Sequence, residues 1–181
     1  MKAALSILAV LALSSRAFAT EYPAPQAPAI AGGTGYVEIP GAAVPMEPAH
    51  VYKTVIDGES AAPKPAQLLP ALNRASLILN ALTVAHVARD HQKLVIVFHG
   101  PAVDGLLRNE GYRARFGVDN PNLKVLRQLS DAGAVLYVCG QYMAGRKLGI
   151  ESLAPEIKLA TAASIVLVTY QNDGYAVLPD R

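Results

Sequence analysis

Five consecutive apolar residues, Leu94-Val95-Ile96-Val97-Phe98, lie between Lys93 and His99. No polar residue interrupts the run, so both faces of whatever it forms need cover. The run is too short for a buried helix and is rich in β-branched side chains. It reads as a strand over 93–99, buried on both faces, which is the mark of a central parallel strand. Gly100-Pro101 ends it. A second run, Ala-Val-Leu-Tyr-Val-Cys-Gly over 134–140, has the same character and also closes on glycine. A chain with two such strands must place layers on either side of a sheet.

The flanking patterns supply those layers. Residues 51–57 read as a first strand, 157–160 as a short one and 175–178 as the last. The longest helical pattern runs over 67–89, with Leu68, Leu69, Leu72, Leu79, Leu82 and Val87 on its apolar face. Residues 102–107 suggest a helical turn, and 108–120 form a polar segment without an assigned element. Asn120 is placed as the N-cap and Pro121 as the first residue of the next helix, which Gly133 closes. Leu123, Leu126 and Leu129 carry that helix's face. Residues 141–148 and 162–171 give two more helices. Strand and helix alternate throughout, which predicts an α/β fold with a parallel or mostly parallel sheet between helix layers.

The first fifty residues are different. Lys2, the apolar stretch 3–13 and Ala17-Phe18-Ala19 have the three parts of a cleavable secretory signal. Cleavage is expected after Ala19, and the signal is too short to anchor stably in a bilayer. Residues 20–50 contain six prolines and many alanines and glycines, a composition that maintains neither a helix nor a central strand. They read as an extended arm or linker, in which 35–40 could pair as an edge segment. The remaining 51–181 form one domain. Without Lys2 and Arg16, the 16 basic residues fall to 14 and balance the 14 acidic ones. A neutral chain lacks the basic face that nucleic-acid binding needs. The signal points to the bacterial periplasm.

That compartment supports disulfides, yet Cys139 is the only cysteine. It is an inert core thiol, half of an intermolecular disulfide, or a reactive nucleophile. A self-contained dithiol cycle is excluded. Cys139 closes the second apolar strand and Gly140 begins a turn into a helix, so the thiol would lie at the sheet edge where open α/β sheets bind ligands. Backbone N–H groups of Gly140 and Gln141 would favour its thiolate. His99 closes the other central strand. If the two strands are neighbours and parallel, His99 and Cys139 share that edge, and the imidazole can move the thiol's proton.

Arginines at 108, 113, 115 and 146 match oxyanions and carboxylates. Tyr112, Arg115 and Tyr142, with Gly100, are the candidates for a ligand pocket near the thiol. The four histidines lack metal-ligand spacing, so neither a metal nor a cofactor is expected. No dinucleotide fingerprint, phosphate-binding loop or G-x-S-x-G elbow occurs.

One ordered set of segments resembles a known family. It comprises His99-Gly100-Pro101-Ala102, Tyr112-Arg113-Ala114-Arg115-Phe116-Gly117, Asn120-Pro121-Asn122-Leu123, Ala132-Gly133, Val138-Cys139-Gly140-Gln141 and Gln171-x-x-Gly174-Tyr175-Ala176. Together, over 51–179, they resemble secreted members of the DsrE/DsrF-like group. The resemblance implies a three-layer α/β/α sandwich around a mostly parallel five-stranded sheet, assembled as trimers or hexamers. It also implies a cysteine that carries sulfur as a persulfide between partner proteins, and Cys139 matches that position. Those sulfur-relay relatives are cytoplasmic, whereas this chain carries an export signal. The leading expectation is an exported sulfur carrier or sulfurtransferase-like protein, with a sulfur donor or acceptor protein, or a small sulfur species, as partner. The alternative is a non-enzymatic oligomeric protein of the envelope, ligand-binding or structural, with an inert cysteine.

Overall fold

The computed structural model describes residues 21–180. The expected export signal and its cleavage point lie outside these residues. Five strands form one sheet: β1 (Tyr52–Gly58), β2 (Gln92–Phe98), β3 (Val135–Cys139), β4 (Lys158–Ala160) and β5 (Ala176–Pro179), in the order β4-β3-β2-β1-β5. Every pairing is parallel. The helices are α1 (Pro70–Val84), α2 (Asn109–Phe116), α3 (Asn122–Asp131), α4 (Gly140–Arg146) and α5 (Ala163–Asn172). Helices α1 and α3 cover one face and α5 the other, giving the expected three layers.

Alternation along each strand sorts the core. Ile56, Ile96, Phe98, Leu136 and Val138 point to the α1 and α3 side. Val55, Val95, Val97 and Cys139 point to the α5 side. The β2 run is buried from Leu94 to Phe98, as its lack of polar positions requires. Fully burying a side chain such as Phe98 or Ile96 contributes roughly 1.5–3 kcal/mol.

Helix ends depart from the sequence reading for identifiable reasons. Helix α1 starts at Pro70 rather than at 67, because Pro70 has no N–H to give and suits a first turn. It ends at Val84 rather than 89. His86 turns left-handed, with φ of 57°, and the Val87 N–H donates to the Leu82 carbonyl at 2.9 Å, which closes the helix. Val87 still packs in the core, so its apolar signal misled on length. Helix α2 occupies part of the polar segment. Tyr112 is its one buried residue, too thin a stripe to show periodicity. Helix α3 begins at Asn122, one residue later than expected, with Pro121 already in helical conformation (φ of −69°, ψ of −16°) ahead of it; the Asn120 Oδ1 nonetheless accepts from the Asn122 N–H at 2.9 Å. Gly133, with φ of 93°, closes it.

The arm is not a free linker. Ile30 is fully buried, and Asn80 of α1 holds the arm's backbone. Tyr36 bridges to Gln26 within the arm and pairs with no sheet strand, so 35–40 is not an edge segment; β4 and β5 hold the edges. Among the described residues, no helix is long and apolar enough to cross a membrane.

Candidate functional site

The sheet brings three polar side chains to one edge. Strands β2 and β3 are neighbours, with Phe98 opposite Val138. His99 and Cys139 are the residues that follow this last matched pair, so each stands at the same end of the sheet. His99 stays extended, with φ of −149° and ψ of −178°, so it follows Val97 onto the α5 face. Cys139 is on that same face. Strand β1 adds Asp57, which alternation places with Val55 on this face.

Asp57 and His99 are joined. His99 Nε2 lies 2.6 Å from the Asp57 Oδ1. A carboxylate accepts, so Nε2 carries the hydrogen and Nδ1 remains for a second partner. The pair is part-exposed, at 23% for His99 and 35% for Asp57, so solvent reaches it. Cys139 is 7% exposed and packs with Val55, Val97 and Val166.

Gly140 follows Cys139 and opens α4. A Cβ on Gly140 would lie 2.6 Å from the Ala160 carbonyl oxygen and 3.2 Å from that of Thr161. The close approach of these two backbones sets where the thiol sits. Gln141 is exposed and donates from Nε2 to the Thr161 carbonyl at 3.4 Å. Gly100 has φ of 53°, which lets the chain turn out of β2 against Glu59.

The remaining candidates gather elsewhere. Tyr112 is buried, and its hydroxyl donates to the Pro65 carbonyl at 2.8 Å. Burial, with Asp104 adding, pushes its phenol above the ordinary value. It lines a cavity of about 160 Å³ with Leu69, Pro101, Asp104 and Phe116; Cys139 is not on that wall. Arg115 pairs with Asp104 at 3.0 Å, as does Arg146 at 3.5 Å, and Arg146 donates to the Tyr142 hydroxyl at 2.9 Å. Tyr112 and Arg115 therefore gather with Arg146 near Asp104, whereas Tyr142, held by Arg146, also packs against the cluster that contains Cys139.

Two acids escaped the sequence reading. Asp57 had a signal: it is a charged residue closing an apolar strand, as His99 is. Asp104 had none, because its partners come from α2 and α4. Among the described residues, no group of three metal-ligating side chains assembles.

The DsrE/DsrF-like family model matches residues 55–179. A protein of unknown function from Methanobacterium thermoautotrophicum shares the fold at a TM-score of 0.52 and 13% identity, covering 71% of this chain and 98% of its own. The ychN protein from E. coli does so at 0.50 and 16%, with the same coverage. No curated protein matches the chain.

Proposed function

We propose that this chain, which belongs to the DsrE/DsrF-like family, carries sulfane sulfur on Cys139 as a persulfide. The observation that carries the reading is the placement of Cys139 on the same sheet edge and face as the Asp57–His99 pair. His99 takes the thiol proton through Nδ1, and Asp57 holds the ring in position. The thiolate attacks the outer sulfur of a persulfide or polysulfide. One S–S bond forms, the donor's S–S bond breaks, and the donor leaves as a thiolate, so no net oxidation occurs. The first N–H groups of α4, at Gly140 and Gln141, are free of helical partners and favour the anion. An acceptor thiolate reverses the exchange. The reading includes export to the periplasm through residues 1–19 and self-association into trimers or hexamers. Tyr112, Arg115 and Tyr142 stay as a candidate surface for a donor or acceptor.

Mass spectrometry after polysulfide treatment tests the reading. Cys139 is expected to gain sulfur atoms, and Cys139→Ser to gain none. A wild-type protein that stays unmodified where free cysteine reacts overturns it. A second experiment isolates Asp57. Asp57→Asn keeps an oxygen for the ring and removes the charge, so alkylation of Cys139 at neutral pH is expected to slow roughly tenfold with an unchanged melting temperature. An unchanged rate removes the Asp57 charge from the mechanism.

One observation favours the other reading. At 7% exposure, Cys139 packs as a small hydrophobe would. In that reading the protein binds a small ligand or only builds envelope structure, and Cys139→Ser retains full function.

A further inference from the structure

The walls of the cavity beside Tyr112 are fixed by the fold itself. Asn120 and Asn122 are buried and tie two of those walls to the start of α3. The Asn120 Nδ2 donates to the Gly105 carbonyl at 2.9 Å, and the Asn122 Oδ1 accepts from the Leu69 N–H at 2.9 Å. The Asn122 Nδ2 donates to the Asn120 Oδ1 at 2.8 Å, which locks the two amides together. The Tyr112 hydroxyl holds a further wall through the Pro65 carbonyl. Gly105 backs directly onto Leu69: a Cβ there would stand 2.7 Å from the leucine side chain, so the glycine lets these two walls meet. Gly105, Leu69, Pro65 and Tyr112 all line the space.

Carbon and charge are separated in it. Leu69, Pro65, Pro101, Phe116 and two alanines supply apolar wall. Its volume of about 160 Å³ matches that of an apolar cavity able to take a benzene-sized molecule. Asp104 is the one charged residue on the wall. Its carboxylate is held twice, by Arg115 at 3.0 Å and by Arg146 at 3.5 Å. Two guanidiniums against one carboxylate leave a single net positive charge at this edge. Each guanidinium has five donors. Among the described residues, Arg115 gives one to Asp104, and Arg146 gives two, to Asp104 and the Tyr142 hydroxyl. Both therefore keep donors for a second carboxylate, whose geometry their planar forks match. Arg115 is 45% exposed and Arg146 34%, so a solute reaches them.

We propose that this cavity binds a small monocarboxylic acid whose apolar body is about the size of benzene. The body lies against Leu69 and Phe116, and the carboxylate takes the spare donors of Arg115 and Arg146 beside Asp104. Asp104 is the positioning residue: it holds the two guanidiniums together and leaves one net charge for the ligand to neutralise. A single carboxylate satisfies that charge. An amine of the same shape meets two cations and is rejected. Cys139 is not on this wall. The inference therefore goes beyond the sulfur reading and does not rest on it.

Benzoate is the probe, and amide chemical shifts of the intact protein at neutral pH are the readout. A ligand of this size is expected to bind with a Kd of about 1 mM, shifting Leu69, Gly105, Tyr112 and Phe116. No shift at benzoate concentrations up to about 10 mM overturns the proposal. Benzylamine is expected to shift none of these residues. If the amine binds as tightly as benzoate, Asp104 is the recognising group and the proposal fails. Arg115→Gln is expected to weaken benzoate roughly tenfold at an unchanged melting temperature, and an unchanged Kd overturns the role of the arginines. If that variant misfolds, Ala62→Leu decides, because it fills the cavity and keeps every charge; benzoate that still binds overturns the site. Cys139→Ser is expected to bind benzoate as the wild type does, so failure of persulfide loading and failure of acid binding are separate results.

Discussion

Gly140→Ala is expected to lower the melting temperature by roughly 5–10 °C, corresponding to about 2–3 kcal/mol. The cause is specific. The added methyl would stand 2.6 Å from the Ala160 carbonyl oxygen, a backbone atom of β4 that cannot rotate aside. Either α4 moves off the sheet or β4 moves off β3, and both movements displace Cys139. The variant is therefore also expected to alkylate at a changed rate. Gly145→Ala provides the control. It lies in the same helix, with nothing within 4 Å of its added methyl, and the better helix propensity of alanine should leave stability equal or slightly higher. Thermal melts of the two variants check this. Equal melting temperatures would show that the backbone contact at Gly140 does not constrain the strand–helix junction.

Asn80→Leu is expected to release residues 29–34 of the arm. Asn80 is fully buried and uses all of its hydrogen-bonding capacity on the arm. Its Oδ1 accepts from the Ala29 and Ile30 N–H groups at 3.0 and 2.8 Å, and its Nδ2 donates to the Ile30 and Thr34 carbonyls at 3.3 and 2.9 Å. Leucine fills the volume and satisfies none of these groups. Leaving them unpaired costs about 3 kcal/mol. The arm keeps the Gly32 N–H to Gln128 Oε1 bond at 3.0 Å, the Thr34 hydroxyl to Asn73 Oδ1 bond at 3.0 Å and the buried Ile30, so the release is centred on residues 29–34 rather than on the whole arm. The measurements are a denaturant melt and limited proteolysis around Ile30. A loss below about 1 kcal/mol with a protease-resistant arm would assign the docking to these remaining contacts.

The arm shows why part of the fold was not legible. Its proline and glycine content excludes regular structure, and that remained true: only one isolated bridge forms in it. Composition does not reveal that irregular backbone can still be pinned by one asparagine fifty residues away. Local pattern gives an asparagine inside a helix only a lower helix propensity; Asn80's partners come from another segment. Helix α2 was hidden for the opposite reason. Its single buried residue, Tyr112, gives no repeating stripe.

The site divides along the same line. Cys139, Gly140 and His99 were visible because strand ends are marked by where apolar runs stop. That His99 and Cys139 share an edge required strand order, a long-range fact that local pattern does not contain. Asp57 joined them only because β1 pairs with β2. Tyr112 and Arg115 of α2 were chosen for their chemistry and lie near Asp104, while Tyr142 of α4 packs against the cluster that holds Cys139.

The sequence by itself determined the strand and helix alternation, the double-sided burial of the central strands and the single thiol at a strand's end. Each follows from side-chain pattern within a few residues. Only the tertiary structure decided which strand ends lie together and which acid holds His99. Those depend on contacts between segments far apart in the chain, and local pattern carries no record of them.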